Sequence, residues 1–368
     1  MSGKDTKKTA TIAENGALAK DGRGFPVRKI FFVLLILLVL CTAALLVANM
    51  FIDSYFDKMT MFDGKWELDT AKMNSMTLYK DNHGYFSKEE AYHKAYNDAL
   101  INHAQTAVDV VEGENVYNYA LFGVDHFEGE ESGKGVDVVM IISINTEKEQ
   151  VTYVAMEARM LVYIPGVGVG PMKHAYLLGG PQLLVNTIEQ NYGLKLNGFF
   201  DLNMSAFSEL VDTFGGIKLN GDNALVEKIN ADIALFNEAK GLSGDSAVES
   251  VKLEDGKIKL KGEQIIAYMR NAGADRAAIA NEVMAQLTAK ISDEGFGGLT
   301  TTFDIAVDKM VVSIDRDDVT ELIFGCFSAF ENVKNVSVGK MEGNKYFGID
   351  AFTCNYKAER DALIKALY

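Results

Sequence analysis

Residues 30–52 read IFFVLLILLVLCTAALLVANMFI, 23 consecutive positions without a charge. Wound as a helix, that run reaches roughly 35 Å, enough to cross the hydrocarbon of a bilayer with some tilt. It is too long for the apolar core of a cleaved signal peptide, and Ala48-Asn49-Met50 makes a poor cleavage site. A core helix of a soluble domain is shorter and is broken by polar positions. The run therefore predicts one membrane span, with residues 1–29 and 53–368 in different compartments.

Charge orients the span. The first 29 residues carry seven basic side chains (Lys4, Lys7, Lys8, Lys20, Arg23, Arg28, Lys29) against three acidic ones (Asp5, Glu14, Asp21). The positive-inside rule keeps this tail in the cytoplasm and places everything after residue 52 outside, in the plasma membrane topology of a signal anchor. The outer part then holds 29 basic and 48 acidic residues of a chain whose formal charge is -15. Such a balance repels phosphate backbones, and no basic block offsets it, so nucleic acid is excluded as a partner. With apolar residues at 48% and only 4 prolines, the outer part can bury a substantial core. Cys326 and Cys354 are its two cysteines; they could pair or remain two buried thiols, and either way the chain is not a disulfide scaffold.

Organisation follows from periodicity. Residues 1–29 are a cytoplasmic tail, 30–52 the span, 53–117 a stalk and lead-in with a helix opened by the capping box Ser87–Glu90, and 118–368 the folded domain. Within it, NYALFGVD, VDVVMIISIN and VTYVAMEARMLVYIPG read as β-branched strands. Pro181 opens a helix that Gly193 closes, GFFDLN is a strand, and Ser205 caps AFSELVDTF before Gly215-Gly216. Strand IKLN, a helix with Leu225, Ile229, Ile233 and Phe236 on one face, strand VKLEDGKIKL and a long helix over 263–291 follow, and the remainder continues the same domain. Strands alternating with helices predict an α/β fold, an α-β-α layered domain around a central mixed sheet.

Familiar catalytic signatures are missing: no Gly-x-Ser-x-Gly, His-Glu-x-x-His, Cys-x-x-Cys or Gly-Lys-Ser/Thr phosphate loop occurs. Two places carry possible chemistry. Asp125 ends one strand and Asp137 heads the next, so the pair could hold a hard cation such as Mg²⁺ through oxygen, or could be two solvated loop acids. Gly166, Gly168 and Gly170 precede Lys173 and His174, an arrangement that lets backbone amides approach phosphate but that also describes a plain surface loop.

The ordered blocks YALFGVD, VDVVMIISIN, VTYVAMEARMLVYIPGVG, KHAYLLGGPQLLVNTIEQNYGL, FFDLNMSAFSELVDTFGGIKL and KGEQIIAYMR resemble the LytR-CpsA-Psr family of Gram-positive envelope proteins. The segment HAY-x-x-GGP followed by F-x-x-LVD-x-x-GG is the most specific. The resemblance implies a membrane-anchored phosphotransferase that moves a glycopolymer from a polyprenyl pyrophosphate carrier to peptidoglycan, with a lipid-holding cavity, two aspartates on Mg²⁺ and arginines on the pyrophosphate. Carried over, the metal aspartates are Asp125 and Asp137. The cations left for catalysis are Arg159, Arg270 and Arg276, with Lys134, Lys173, His174 and Asp275 on the substrate.

The pattern also departs from the family. Gly135, Ala158, Ala272, Ala278 and Asn281 stand where the resemblance puts arginines, and Pro171 where it puts a lysine. Alanine does not replace a guanidinium on phosphate. Two readings follow: a relative that binds the lipid-linked polymer with little or no turnover, or a working transferase whose displaced cations still serve the pyrophosphate.

Overall fold

The computed structural model describes residues 48–75, 110–124, 135–271, 276–317, 319, 332–338 and 354–368. Most of the span at 30–52, the helix opened by Ser87 and Cys326 lie outside the described residues, and among those described no helix is long and apolar enough to cross a membrane. The chain divides into two compact units, residues 1–51 and 52–368, and the fold is that of the second.

Its strands and helices run β1 (Thr60–Met61), α1 (Thr70–Ser75), β2 (Val116–Val124), β3 (Val136–Asn145), β4 (Gln150–Met156), β5 (Leu161–Ile164), β6 (Gly168–Pro171), α2 (Lys173–Tyr192), β7 (Gly198–Asn203) and α3 (Met204–Thr213). Then come β8 (Ile217–Asn220), α4 (Asn223–Lys240), β9 (Leu253–Glu254), β10 (Lys257–Leu260), α5 (Gly262–Asn271), α6 (Arg276–Asp293), α7 (Gly295–Ala306), β11 (Met310–Val312), β12 (Val333–Val338) and α8 (Tyr356–Leu367). Seven strands form one mixed sheet in the order β1-β11-β7-β2-β3-β4-β12. β2 pairs antiparallel with β3 and parallel with β7, so the sheet centre is the long VYNYALFGV strand.

Alternation along β2 assigns the two faces. Ala120, Phe122 and Val124 pack with Val139 and Ile141 against Leu183, Leu184 and Ile188 of α2 and Leu363 and Leu367 of α8. Leu121, Gly123 and Met140 look the other way, toward α3, α5 and α6. The result is the α-β-α sandwich around a mixed sheet that the sequence predicts. A second core joins α3, α4, α5 and α6 to the small sheet β8-β10-β9, with Ile217, Leu219, Ile258 and Leu260 buried. Here VKLEDGKIKL is a hairpin rather than one strand. Asp255 and Gly256 both take positive φ, 50° and 73°, the tight turn that an Asp-Gly pair favours.

Other local expectations are corrected by backbone geometry. Asn203, not Ser205, caps α3: its side chain accepts from the Ala206 amide at 2.8 Å while its own backbone is still extended. Helix α2 begins at Lys173, and Gly180 at φ 65° breaks it just before Pro181, which opens the second segment as its fixed φ favours. Gly193, left-handed at φ 60°, closes it. The long helix expected over 263–291 is two helices, α5 and α6, and residues 272–275 between them lie outside the described residues. The lead-in is built into the sheet: β1 pairs parallel with β11 at its edge, and Val111 bridges Leu194.

Candidate functional site: an apolar cavity with a charged mouth

Between the sheet and helices α3, α5 and α6 lies an apolar cavity with about 440 Å³ of empty space, part of which is open to solvent. Every residue that lines it is apolar, and four of them are methionines: Met140, Met204, Met269 and Met284. Thioether side chains are unbranched and adapt to irregular apolar shapes. Gly123 helps to open the space, because a Cβ there would sit 2.9 Å from Cβ of Val138 and 3.4 Å from Sδ of Met204.

A second hollow, partly open to solvent, adjoins the first and shares Val138, Met204 and Met269 with it. Its polar lining is Asp137, Arg270 and Arg276. Three elements deliver these groups: Asp137 near the start of β3, Arg270 in the last turn of α5, and Arg276 as the first residue of α6. Arg276 donates from Nη2 to the Arg270 carbonyl at 2.9 Å, while its buried Nε has no hydrogen-bond partner among the described residues. A cation at a helix N-terminus is electrostatically unfavourable by itself, since that end already carries partial positive charge. Two guanidiniums and a helix N-terminus facing one carboxylate suit an anion with several oxygens.

The other expected site residues divide into three groups. Asp125, Lys134 and Asp275 lie outside the described residues; the chain neighbour of Asp125, Val124, pairs with Val136, the neighbour of Asp137. Arg159 is not among the described residues that line the mouth. It is 4% exposed and held by Glu157, with Nε to Oε1 at 2.7 Å and Nη2 to Oε2 at 2.8 Å. Lys173 and His174 open α2, where the Lys173 amide donates to the Ala158 carbonyl at 2.8 Å. Burial pulls the His174 imidazole down to about 4, with repulsion from Lys173 adding to it, so it is neutral at physiological pH.

Two of the positions where the resemblance expects arginine have other structural settings. Asn281 is 5% exposed and donates to the Val336 carbonyl at 2.7 Å and Ser337 Oγ at 2.9 Å, which ties α6 to strand β12. Ala278 is exposed. Sequence reasoning missed one polar pair on the α2 face: Tyr176 donates its hydroxyl to Asp201 Oδ2 at 2.6 Å beside the Phe122 ring, and burial together with the Asp201 charge raises the phenol. The available signal was Asp201 itself, the lone acid in the apolar strand GFFDLN.

For Mg²⁺ the donor chemistry fits in part. Asp137 offers an exposed carboxylate at the mouth, and Mg²⁺ is commonly held by one or two carboxylates with phosphate oxygens completing its shell. Among the described residues no group of three or more His, Cys, Asp or Glu side chains gathers to form an all-protein metal cage.

Comparison with known proteins meets the same architecture. Over residues 81–362 the chain matches the LytR_cpsA_psr family. It is 25% identical over 227 residues to the polyisoprenyl-teichoic acid–peptidoglycan teichoic acid transferase TagU of Enterococcus faecalis, covering 59% of this chain and 68% of that one. To TagT of Bacillus subtilis, of the same description, it is 23% identical over 240 residues, 64% of this chain and 70% of the other. Among solved structures, TagT bound to LI-WTA superposes with a TM-score of 0.52 at 21% identity, covering 73% of this chain and 96% of that one. The LytR-CPS2A-psr family protein YwtF (TagT) with bound octaprenyl pyrophosphate lipid gives a TM-score of 0.50 at 20% identity over the same shares. With the match extending over most of its length and the fold in agreement, the chain belongs to the LytR_cpsA_psr family.

Proposed function

We propose that this protein binds polyprenyl-(pyro)phosphate-linked glycopolymer at the outer face of the plasma membrane and serves cell-envelope biogenesis, with little or no turnover of its own. The span at residues 30–52 anchors it, the tail of residues 1–29 stays in the cytoplasm, and the body meets lipid carrier and peptidoglycan outside. One observation carries the reading: an all-apolar cavity shares three lining residues with a hollow that presents Arg270, Arg276 and Asp137. A prenyl chain suits the cavity and a diphosphate suits the mouth. The relatives named as teichoic acid transferases, and the relative that holds octaprenyl pyrophosphate, support that choice of ligand.

Reduced turnover follows from how the cations are used. Phosphoryl transfer depends on positioning and on neutralising charge as it develops on the leaving group. Among the described residues Arg159 binds Glu157 and Asn281 binds β12, and the guanidiniums that line the mouth are Arg270 and Arg276. These can bind and orient a diphosphate; Asp137, with Asp125, would hold Mg²⁺, whose chemistry when bound is to neutralise phosphate oxygens. The second reading, an active phosphotransferase attaching the polymer to peptidoglycan, is favoured by the survival of Asp137, Arg270 and Arg276 at one mouth.

The full-length protein in nanodiscs, given Mg²⁺ and a polyprenyl pyrophosphate, tests both. Saturable binding without release of inorganic phosphate supports the first reading. Phosphate release that disappears in Asp137→Ala supports the second, and absence of binding overturns both.

A further inference from the structure

The second unit begins at Ile52, and its first residues are already bound to the body. Residues 52–56 are helical. Ile52, Tyr55 and Met59, spaced i, i+3, i+7, are buried. Tyr55 donates its hydroxyl to Asp304 Oδ1 of α7 at 2.7 Å and sets its ring 5.4 Å from that of Phe303, while Arg316 donates from Nε to Asp53 Oδ1 at 2.6 Å. The chain then turns, with the Met59 amide on the Phe56 carbonyl, and enters the sheet at once as β1 beside β11.

This short connection sets a depth. At the helical rise Tyr55 stands only about 5 Å beyond Ile52, and the head-group layer beyond the hydrocarbon is roughly 5–8 Å deep. A span that ends at Ile52 therefore brings Tyr55, and with it the Phe303–Asp304 end of α7, to the level of the lipid head groups. Phe296, near the other end of α7, is about 10 Å away along that helix. From Gly295 to Phe303, α7 reads GFGGLTTTF without a charge. Its inner side is fixed: Leu299, Ile305 and Ala306 are buried, and Gly298 lies so close to α6 that a Cβ there would come within 2.2 Å of the Ile291 carbonyl oxygen. Phe296 points the other way, 58% exposed, between Gly295 and Gly297, where an added Cβ would meet nothing within 4 Å. An exposed ring on a rigid, uncharged helix end suits the membrane interface, where aromatic side chains gather. Asp293 and Glu294, just before α7, are exposed acids, so the contact draws on apolar burial and not on attraction to anionic lipid.

We infer that the N-terminal end of α7 is a membrane-contacting surface: Phe296 seats its ring among the lipid head groups beside the anchor, so that the body meets the bilayer at a second point. The inference rests on the anchoring proposed above and adds a lipid contact to it.

Fluorescence of the full-length protein, one chain per nanodisc of zwitterionic lipid, tests the contact. Trp66→Phe removes the one tryptophan of the chain, and Phe296→Trp then places a reporter at an exposed position without touching the core. Lipid brominated near the carbonyl end of an acyl chain is expected to cut the reporter's emission at least twofold relative to unbrominated lipid. The same reporter introduced instead by Leu235→Trp, at an exposed position of α4, is expected to keep its emission and to be quenched by acrylamide from the water. Emission from the Phe296→Trp chain that bromination leaves unchanged overturns the contact and leaves the anchoring intact. Equal quenching by bromine at both positions also overturns it, because α7 is then not singled out. A chain that does not stay with the discs overturns the anchoring and takes the contact with it.

Discussion

Glu157 chelates Arg159 across a single residue: its carboxylate takes Nε at 2.7 Å, Nη2 at 2.8 Å and the Arg159 backbone amide at 3.1 Å, with both side chains under 5% exposed. A turn closed by the Met160 amide on the Glu157 carbonyl makes this possible, folding the chain back where a continued strand would have sent Arg159 to the opposite face.

Breaking the pair from one side takes from the buried guanidinium the carboxylate that holds Nε and Nη2. Glu157→Ala is expected to cost about 3–5 kcal/mol, whereas the double change Glu157→Leu with Arg159→Met is expected to be close to neutral. Denaturant unfolding of both variants checks this. Equal losses in the two would show that the pair is not what the site depends on.

His174 gives the fold a measurable acid limb. Its imidazole lies at about 4 in the folded protein against 6.5 when free, because burial disfavours the charged form. Between these values the unfolded chain binds more protons than the folded one, so stability falls as pH drops from about 6.5 to 4 and this contribution levels off below. The loss amounts to at most about 3 kcal/mol. In His174→Gln that part of the pH dependence is expected to vanish, and unfolding midpoints compared across pH 4–7 reveal whether the two curves converge at low pH.

Restoring an arginine where the family pattern has one is not expected to restore a clamp at every position. Asn281 is directed at β12, where it satisfies the Val336 carbonyl, so Asn281→Arg places a charge at a buried position against that edge strand. The expected outcome is a stability loss of about 2–4 kcal/mol with no gain in pyrophosphate affinity. A variant that binds pyrophosphate tenfold more tightly would show that position 281 reaches the mouth after all.

Much of this was legible in the sequence because long apolar patterns are robust. VDVVMIISIN, GFFDLN and the α4 helix lie where their periodicity puts them. What escaped depends on one or two residues and on partners distant in the chain. Asn203 and Ser205 offer equivalent capping oxygens, and only the backbone bend after β7 decides between them. The two-residue strand β1 has no periodicity to read and exists because β11 offers it an edge. At the site, Arg270 and Arg276 reach one mouth because α5 and α6 are separate helices, a break that an unbroken helical reading concealed. The Tyr176–Asp201 bond joins groups 25 residues apart, which spacing could not announce.

The central claim is that the apolar cavity and its charged mouth act together on a prenyl pyrophosphate. Calorimetric titration of the full-length protein with geranylgeranyl pyrophosphate tests it most directly, with geranylgeraniol as the chargeless control and Arg276→Ala as the variant. Charge-assisted hydrogen bonds to a partly enclosed phosphate are each worth about 1.5–3 kcal/mol. The account therefore predicts one saturable site per chain, at least tenfold weaker in Arg276→Ala and weaker again for the alcohol. Saturable binding that is the same for pyrophosphate and alcohol, or unchanged by Arg276→Ala, would contradict it.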